Sequence, residues 1–221
     1  MSKSRTLSEI EPGVLFVVSG PSGTGKSTLC RAAMKRFKKL EFSVSYTTRR
    51  PRPNEVDGRD YYFVDESTFK SLRDAGRLAE FALVHGHYYG TSLDVVRARI
   101  GEGISLLLDI DPQGAAQIKE RYPEAAFVFF VPPSPRALEE RLRGRGTDPE
   151  EVIAERLANS IGEMRQCTWY DYIIINDDFD RALEKFCAVI LAEKCRRERS
   201  TVLVEQIMAE YGLDDTPGTS G

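Results

Sequence analysis

Short apolar runs alternate with longer amphipathic stretches along most of this chain. The runs are rich in Val, Ile and Leu and predict buried strands over about residues 14–18, 104–110, 125–131 and 172–176. The stretches between them carry apolar residues at helical spacing and predict helices over about residues 26–39, 91–102 and 180–197, followed by a shorter helix to about 211. Two more helices are predicted to begin at Ser134-Pro135 and Asp148-Pro149. Thr91 and Asp94 have the spacing of a capping box at one helix start. The alternation predicts an α/β fold with a parallel sheet that helices cover on both faces.

The alternation is interrupted between about residues 45 and 91. A short strand at 42–46 precedes this stretch, a helix within it is capped by Asp65 and ended by Gly76, and residues 78–91 predict a hairpin. We therefore expect an inserted mixed α+β lobe within a larger core. The predicted organisation is a flexible leader at 1–12, a core at 13–44 and 92–211 with a helical lid at about 136–160, the lobe at 45–91 and a flexible tail at 212–221.

Composition limits the classes of function. The 221 residues carry a formal net charge of −3, which argues against a broad nucleic-acid surface. The four cysteines form no C-x-x-C pair and no Cys/His group has zinc spacing, so we interpret them as reduced thiols. His85 and His87 suit a solvated hairpin better than a metal site. Without a signal peptide or a long apolar run, the chain is expected to be a cytoplasmic protein that contacts no membrane.

A glycine-rich segment directly after the first predicted strand matches the phosphate-binding pattern G-x-x-x-x-G-K-[ST] in full. Glycines let its backbone approach an anion, and the following helix adds unpaired N–H donors. Lys26 would reach the outer phosphates of a nucleoside triphosphate, and the Ser27 hydroxyl would ligate Mg²⁺. A turn without a ligand would not require strand, glycines, Lys-Ser and helix together. The predicted nucleotide-binding residues are Gly20, Pro21, Ser22, Gly23, Thr24, Gly25, Lys26, Ser27 and Thr28.

Two further features of the lobe each have two interpretations. Arginines at 49, 50, 52 and 59 stand among prolines, either in a solvated basic loop or in a phosphate clamp. Glu80 interrupts an apolar run, either on the outer face of a strand or bound to a ligand.

The core carries two more such features. Asp109 and Asp111 lie at the end of the buried strand predicted at 104–110, at the edge where open α/β sheets bind ligands. They could serve a metal or a base edge, and Asp111 could simply cap the next helix. Arg141, Arg143 and Arg145 lie beside glycines, in a mobile lid or at an ordinary basic helix end.

Several blocks in order make the chain resemble a bacterial-type guanylate kinase across roughly residues 13–197. They are SGPSGTGKST, SVSYTTRRPRPNE, GRDYYF, HYYGTS, LDIDPQGA, VPPSPRALEERLRGRG and YDYIIINDD. The phosphate loop is shared with many kinases, whereas TTR-x-PR, YGTS and DIDPQG are far more specific. The resemblance implies a P-loop nucleoside monophosphate kinase fold whose inserted lobe binds GMP. The sequence differs from the family pattern at Arg52-Pro53-Asn54-Glu55, where the family usually has R-x-G-E. Because Asn tolerates positive φ, we expect a similar turn.

The resemblance also implies roles for individual residues. Those implied to bind the GMP phosphate are Arg49, Arg52, Tyr61 and Tyr89. Those implied to contact the guanine edge are Ser45, Glu80, Thr91 and Asp111. Asp109 would lie near Mg²⁺, which it would hold with Ser27, and Asn176 near the adenine of ATP. Lys26, Arg141, Arg145 and Arg156 would surround the transferring phosphoryl group, and with Arg49 they form the implied catalytic set.

The leading hypothesis is Mg²⁺-dependent phosphoryl transfer from ATP to GMP, by a monomer or a homodimer. Guanine presents two adjacent N–H donors that one carboxylate accepts together, and adenine lacks that pair. One alternative is a non-catalytic guanylate-kinase-like module that binds peptides, which would not need the Lys26 loop. Another is a related P-loop kinase with a different phosphate acceptor, against which Glu80 together with Ser45 and Asp111 argues.

Overall fold

The computed structural model describes residues 12–84, 86–144 and 149–213. In chain order, the strands are β1 (Leu15–Ser19), β2 (Leu40–Phe42), β3 (Tyr46–Thr47), β4 (Tyr62–Phe63), β5 (Leu78–Val84), β6 (His87–Ser92), β7 (Ser105–Asp109), β8 (Ala126–Val131) and β9 (Tyr172–Ile175). The helices are α1 (Lys26–Arg36), α2 (Glu66–Asp74), α3 (Leu93–Gly101), α4 (Pro112–Arg121), α5 (Pro135–Arg143), α6 (Glu150–Arg165), α7 (Phe179–Lys194) and α8 (Arg197–Glu210), with a 3₁₀ turn at Gln166–Trp169.

A five-stranded sheet in the order β2-β7-β1-β8-β9 forms the larger layer. All its neighbouring strands run parallel, which confirms the predicted parallel sheet. The four apolar runs of the sequence supply its four longer strands, and β2 completes one edge. Because the strands share one direction, the segments after β1, β7 and β9 meet at the same edge.

Helices cover both faces of this sheet, as the alternation of strands and helices predicts. Along β1, Phe16 and Val18 pack with residues of α1 and α7, whereas Leu15 and Val17 pack with residues of α3 and α4. All four side chains are buried. Each fully buried side chain of this size contributes about 1.5–3 kcal/mol, so the strand that precedes the phosphate loop is firmly anchored.

The second sheet has four strands in the order β4-β3-β6-β5 and is mixed, with β3 parallel to β4 and antiparallel to β6. The predicted hairpin is confirmed as β5 and β6. The single strand predicted at 42–46 is wrong. Ser43 still donates its backbone N–H to Leu107 in the first sheet, but Tyr46 pairs with Gly90 in the second. The chain therefore passes from one sheet to the other within that stretch.

Most helix starts follow the predicted caps. Thr68 donates its backbone N–H to Asp65 at 2.7 Å, which confirms that cap. The capping box at Thr91 is wrong, because Ser92 caps α3 and Thr91 still belongs to β6. Two helices end about three residues earlier than predicted, α1 at Arg36 and α7 at Lys194.

Some predictions fall outside the described residues. They concern His85, Arg145, the Asp148 cap and most of the leader and the tail. Within the ranges that are described, no helix has both the length and the apolar character needed to cross a membrane.

Candidate active site

The phosphate loop joins β1 to α1 at the carboxyl edge of the large sheet. Gly25 precedes the helix at φ 88°, in the left-handed region, and a Cβ there would lie 2.7 Å from the Asn176 amide nitrogen. The Lys26 ammonium donates to the carbonyl of Gly20 at 2.6 Å and to that of Pro21 at 3.1 Å. The loop thus holds its lysine close to its own backbone, where the charge can meet a bound phosphate.

Two side chains with oxygen atoms, Ser27 and Asp109, lie at the start of α1 and beside it. The Ser27 hydroxyl donates to the Asp109 carboxylate at 2.9 Å. The two residues are close because Asp109 ends β7, which pairs with β1, the strand before the phosphate loop. Mg²⁺ prefers oxygen ligands and usually keeps several from water or phosphate, so this pair fits the ion. The described residues hold no cluster of three or more His, Cys, Asp or Glu side chains of the kind that encloses a metal.

Glu80 is buried, so the outer-face interpretation of this residue is wrong. Its side chain points inward from β5, only 3% of the residue is exposed, and its Oε1 accepts a 2.6 Å hydrogen bond from the Thr91 hydroxyl. The pKa of Glu80 is raised to about 7. Burial is the largest cause, the Thr91 hydrogen bond opposes it in part, and the nearby Asp111 carboxylate also raises the pKa. Of its two carboxylate oxygens, Oε1 is thus bound to Thr91 within the protein.

Asp111 lies near Glu80 at the start of α4. Its Oδ1 accepts the Gly114 N–H at 2.9 Å, which confirms the predicted cap. Burial raises the pKa of Asp111, and backbone hydrogen bonds from Gly114 and Gln113 partly oppose that effect. Glu80 and Asp111 both approach Gly114, so the two predicted guanine-contacting carboxylates lie together, although Glu80 belongs to the second sheet and Asp111 follows a strand of the first.

Arg49 is held in place from several sides. Its Nη2 donates to both carboxylate oxygens of Glu55, at 2.8 and 2.9 Å, and its guanidinium lies 5.4 Å from the centre of the Tyr61 ring. The Tyr61 ring in turn packs edge-on against that of Tyr89, and burial raises the pKa of Tyr61 to about 12. Tyr61 therefore remains protonated beside the arginine at neutral pH.

Glu55 also organises the second arginine of the predicted clamp. Its carboxylate accepts the backbone N–H of Arg52 at 2.8 Å, and its own N–H donates to the Arg52 carbonyl at 3.0 Å. The latter bond closes the turn that we expected at Pro53-Asn54. Burial alone would raise the pKa of Glu55, but the Arg49 guanidinium and the Arg52 N–H outweigh it and hold that pKa below its usual value.

The arginines of α5 and α6 contact the phosphate loop and its surroundings. The Arg141 Nη2 donates to the Asn176 carbonyl at 2.8 Å, and the Arg156 Nη1 to the Ser22 hydroxyl at 3.3 Å. The Asn176 amide donates to the Thr24 carbonyl at 2.6 Å. These bonds link the end of β9, the loop and the predicted lid, whereas Arg145 lies outside the described residues.

The predicted residues that the structure describes thus form three groups. The loop with Ser27 and Asp109 is one, Glu80 with Thr91 and Asp111 is the second, and the Arg49 clamp is the third. Ser45 is half-buried, and its backbone carbonyl accepts the Tyr62 N–H at 2.9 Å. Sequence analysis did not assign a role to Glu55, Gly114 or Gln117, although all three stand within or beside the blocks that carry the family resemblance.

Comparisons with known proteins match this chain to guanylate kinases. The sequence model of the family described as guanylate kinase matches residues 13–193. The guanylate kinase of Geobacter sulfurreducens is 48% identical over 197 residues, covering 89% of this chain and 97% of that protein. That of Salmonella typhimurium is 45% identical over 204 residues, with 90% and 99% covered. The crystal structure of guanylate kinase from Anaplasma phagocytophilum matches with a TM-score of 0.77 at 30% identity, covering 93% of this chain and 98% of that one.

Proposed function

This chain belongs to the guanylate kinase family, and we propose that these three groups of residues serve transfer of the γ-phosphoryl group of ATP to GMP, giving ADP and GDP. The observation that carries the choice of acceptor is the buried Glu80 carboxylate with Asp111 beside it. Guanine offers N1–H and the exocyclic amine to a single carboxylate. Adenine lacks that pair of donors and would leave the buried carboxylate with only its bond from Thr91, and sites of this kind reject the wrong partner by roughly 10⁴-fold or more.

The other end of GMP would meet the Arg49 clamp. A guanidinium fork suits a phosphate monoester, and the hydroxyls of Tyr61 and Tyr89 add donors beside it. With the base at Glu80 and the phosphate at Arg49, the acceptor is fixed at both ends. Holding the acceptor at both ends lowers the activation barrier of phosphoryl transfer. The entropy of bringing two anions together is then lost on binding and not in the transition state.

ATP would bind along the phosphate loop, with its outer phosphates at Lys26 and the N-terminus of α1. When bound at Ser27 and Asp109, Mg²⁺ would supply charge neutralisation for the phosphates. Arg141 and Arg156 approach the same loop from α5 and α6 and would add positive charge as those helices close over it. Closure would also exclude water, which would otherwise accept the phosphoryl group.

The test is a coupled assay for ADP release with ATP and Mg²⁺, comparing GMP with AMP, CMP, UMP and dTMP. We expect turnover with GMP alone. Turnover with another monophosphate would overturn the role of Glu80 and Asp111 in acceptor choice. A folded protein that binds GMP without turnover would support the peptide-binding alternative.

Substitution of Glu80 tests its role in the same assay. We expect Glu80→Gln to raise the KM for GMP about 10²-fold, because the charged acceptor is lost, and to leave the KM for ATP within about twofold. Glu184→Gln, on the exposed surface of α7, is the matched control and should change neither constant. Equal losses for both nucleotides would contradict a role in base recognition.

The metal, the cellular location and the oligomeric state complete the proposal. We expect chelation of Mg²⁺ to abolish turnover, and Asp109→Asn to raise the Mg²⁺ concentration needed for half-maximal rate. Cytoplasmic location and a monomer or homodimer stay predictions, which cell fractionation and light scattering would test.

A further inference from the structure

One face of α4 lies along the edge of the second sheet. Gly114, Gln117 and Arg121 are spaced by three and four residues, so they share that face. Each of them approaches β5, the outermost strand of its sheet. The face therefore joins the helix that Asp111 caps to the strand that carries Glu80.

Gln117 supplies the central contact. Its side-chain Nε2 donates to the Phe81 carbonyl at 2.7 Å, and its Oε1 accepts the Phe81 N–H at 3.1 Å. At the edge of a sheet, these two backbone groups of Phe81 have no neighbouring strand to bond, and the Gln117 amide bonds both of them. Phe81 directly follows Glu80, so the backbone next to the buried carboxylate is clamped to α4.

Arg121 extends the contact toward the start of the strand. Its Nη1 donates to the Leu78 carbonyl at 2.9 Å. The pairing of β5 with β6 shifts register between Leu78 and Glu80, which is why carbonyls three residues apart both turn toward the helix. Through these two carbonyls, α4 holds the strand on both sides of Glu80.

Gly114 sets how closely Glu80 approaches the helix. A Cβ at this position would lie 2.4 Å from Glu80 Oε2 and 3.3 Å from Asp111 Oδ1. The first distance is far below van der Waals contact, so a methyl group would force the carboxylate to move. Glu80 therefore occupies space that only the missing side chain of Gly114 makes available.

We propose that Gly114 and Gln117 are positioning residues for guanine selection, because they place the Glu80 carboxylate beside Asp111 at one fixed separation. The inference rests on the proposed function, in which Glu80 receives the two guanine donors. A carboxylate displaced by about 1 Å would lose one of two parallel hydrogen bonds, and both binding and discrimination would fall.

Gln117→Glu tests the clamp with almost no change of shape. The new side chain can still accept the Phe81 N–H, but it cannot donate to the Phe81 carbonyl and it places charge against that oxygen. We expect the Kd and KM for GMP to rise about 10-fold, with kcat and the KM for ATP within about twofold. Gln206→Glu makes the same chemical change on the exposed surface of α8 and should leave every constant unaltered.

Gly114→Ala tests the close approach independently. We expect the Kd for GMP to rise at least 10-fold, whereas Gly101→Ala, in a helix with open space around its Cα, should have no effect. Adding Glu80→Asp, which shortens the carboxylate, should give a double variant that binds GMP better than the product of the two single effects predicts. Damage that does not involve the contact between Gly114 and Glu80 would not be relieved by a second substitution at Glu80.

The two proposals fail in distinguishable ways. Wild-type turnover with the panel of monophosphates tests the function, and GMP affinity measured by calorimetry in the variants tests the positioning, whether or not turnover occurs. An unchanged GMP Kd in folded Gln117→Glu and Gly114→Ala would overturn the inference, as would an equal rise in the Kd for ATP. If one of the two variants does not fold, the Kd values for GMP and ATP in the other variant test the inference.

Discussion

A single nitrogen of Arg49 donates to both carboxylate oxygens of Glu55, at 2.8 and 2.9 Å. Both side chains are largely buried, with 15% and 16% exposed. Since Glu55 also accepts the backbone N–H of Arg52, one carboxylate fixes both arginines that are expected to grip the GMP phosphate. An ion pair within the protein thus shapes a site for a second anion.

Glu55→Gln should raise the KM for GMP about 10-fold, because Arg49 loses a charge-assisted partner and Arg52 loses its shared anchor. Steady-state kinetics with GMP varied would measure it. Glu66→Gln, which removes an exposed pair with Lys70 on the same lobe, is the control and should have no effect. A fall in KM would instead show that Glu55 competes with the GMP phosphate for Arg49.

The KM for GMP should depend on pH through Glu80. Burial raises the pKa of this group to about 7, so it is mostly protonated below that pH and cannot accept both guanine donors. We expect KM to increase as pH falls below about 7, approaching tenfold per pH unit. The GMP phosphate titrates near pH 6 as well, so Glu80→Gln is the reference that shares only the phosphate titration. Parallel profiles for the two proteins would contradict the assignment.

Lys26→Ala should reduce kcat by about 10³-fold or more, since the lysine would neutralise charge that develops on the transferring phosphoryl group. Single-turnover measurements at saturating ATP and GMP would separate this loss from weaker binding. Lys35→Ala, on the exposed surface of the same helix, is the matched control. If kcat is largely retained, Lys26 does not belong to the catalytic set.

Asn176→Asp should destabilise the protein by about 2–3 kcal/mol and raise the KM for ATP. The buried amide donates to the Thr24 carbonyl at 2.6 Å, and a carboxylate there can neither donate nor be hydrated. Thermal unfolding and ATP kinetics would measure the two effects. Asn159→Asp, on the exposed side of α6, should change neither. A raised KM for ATP with unaltered stability would favour a direct contact between Asn176 and adenine.

Much of this protein can be predicted from local patterns in its chain. Apolar runs located the four longer strands of the parallel sheet, and the G-x-x-x-x-G-K-[ST] spacing located the phosphate loop. Asp65 and Asp111 marked helix starts because a cap needs only a side chain and an N–H three residues away. These features depend on neighbours in sequence, so residue type and spacing suffice to find them.

The features that required the folded chain are contacts between distant segments. Periodicity could not show that Glu80 faces inward, that Thr91 donates to it rather than capping a helix, or that residues 42–46 divide between two sheets. It also could not show that Gln117 meets Phe81, 36 residues away. A hydrogen bond across such a separation depends on how two sheets and a helix pack. The periodicity of apolar residues specifies which side of a helix or strand is buried, but not which side chain of another element packs against it.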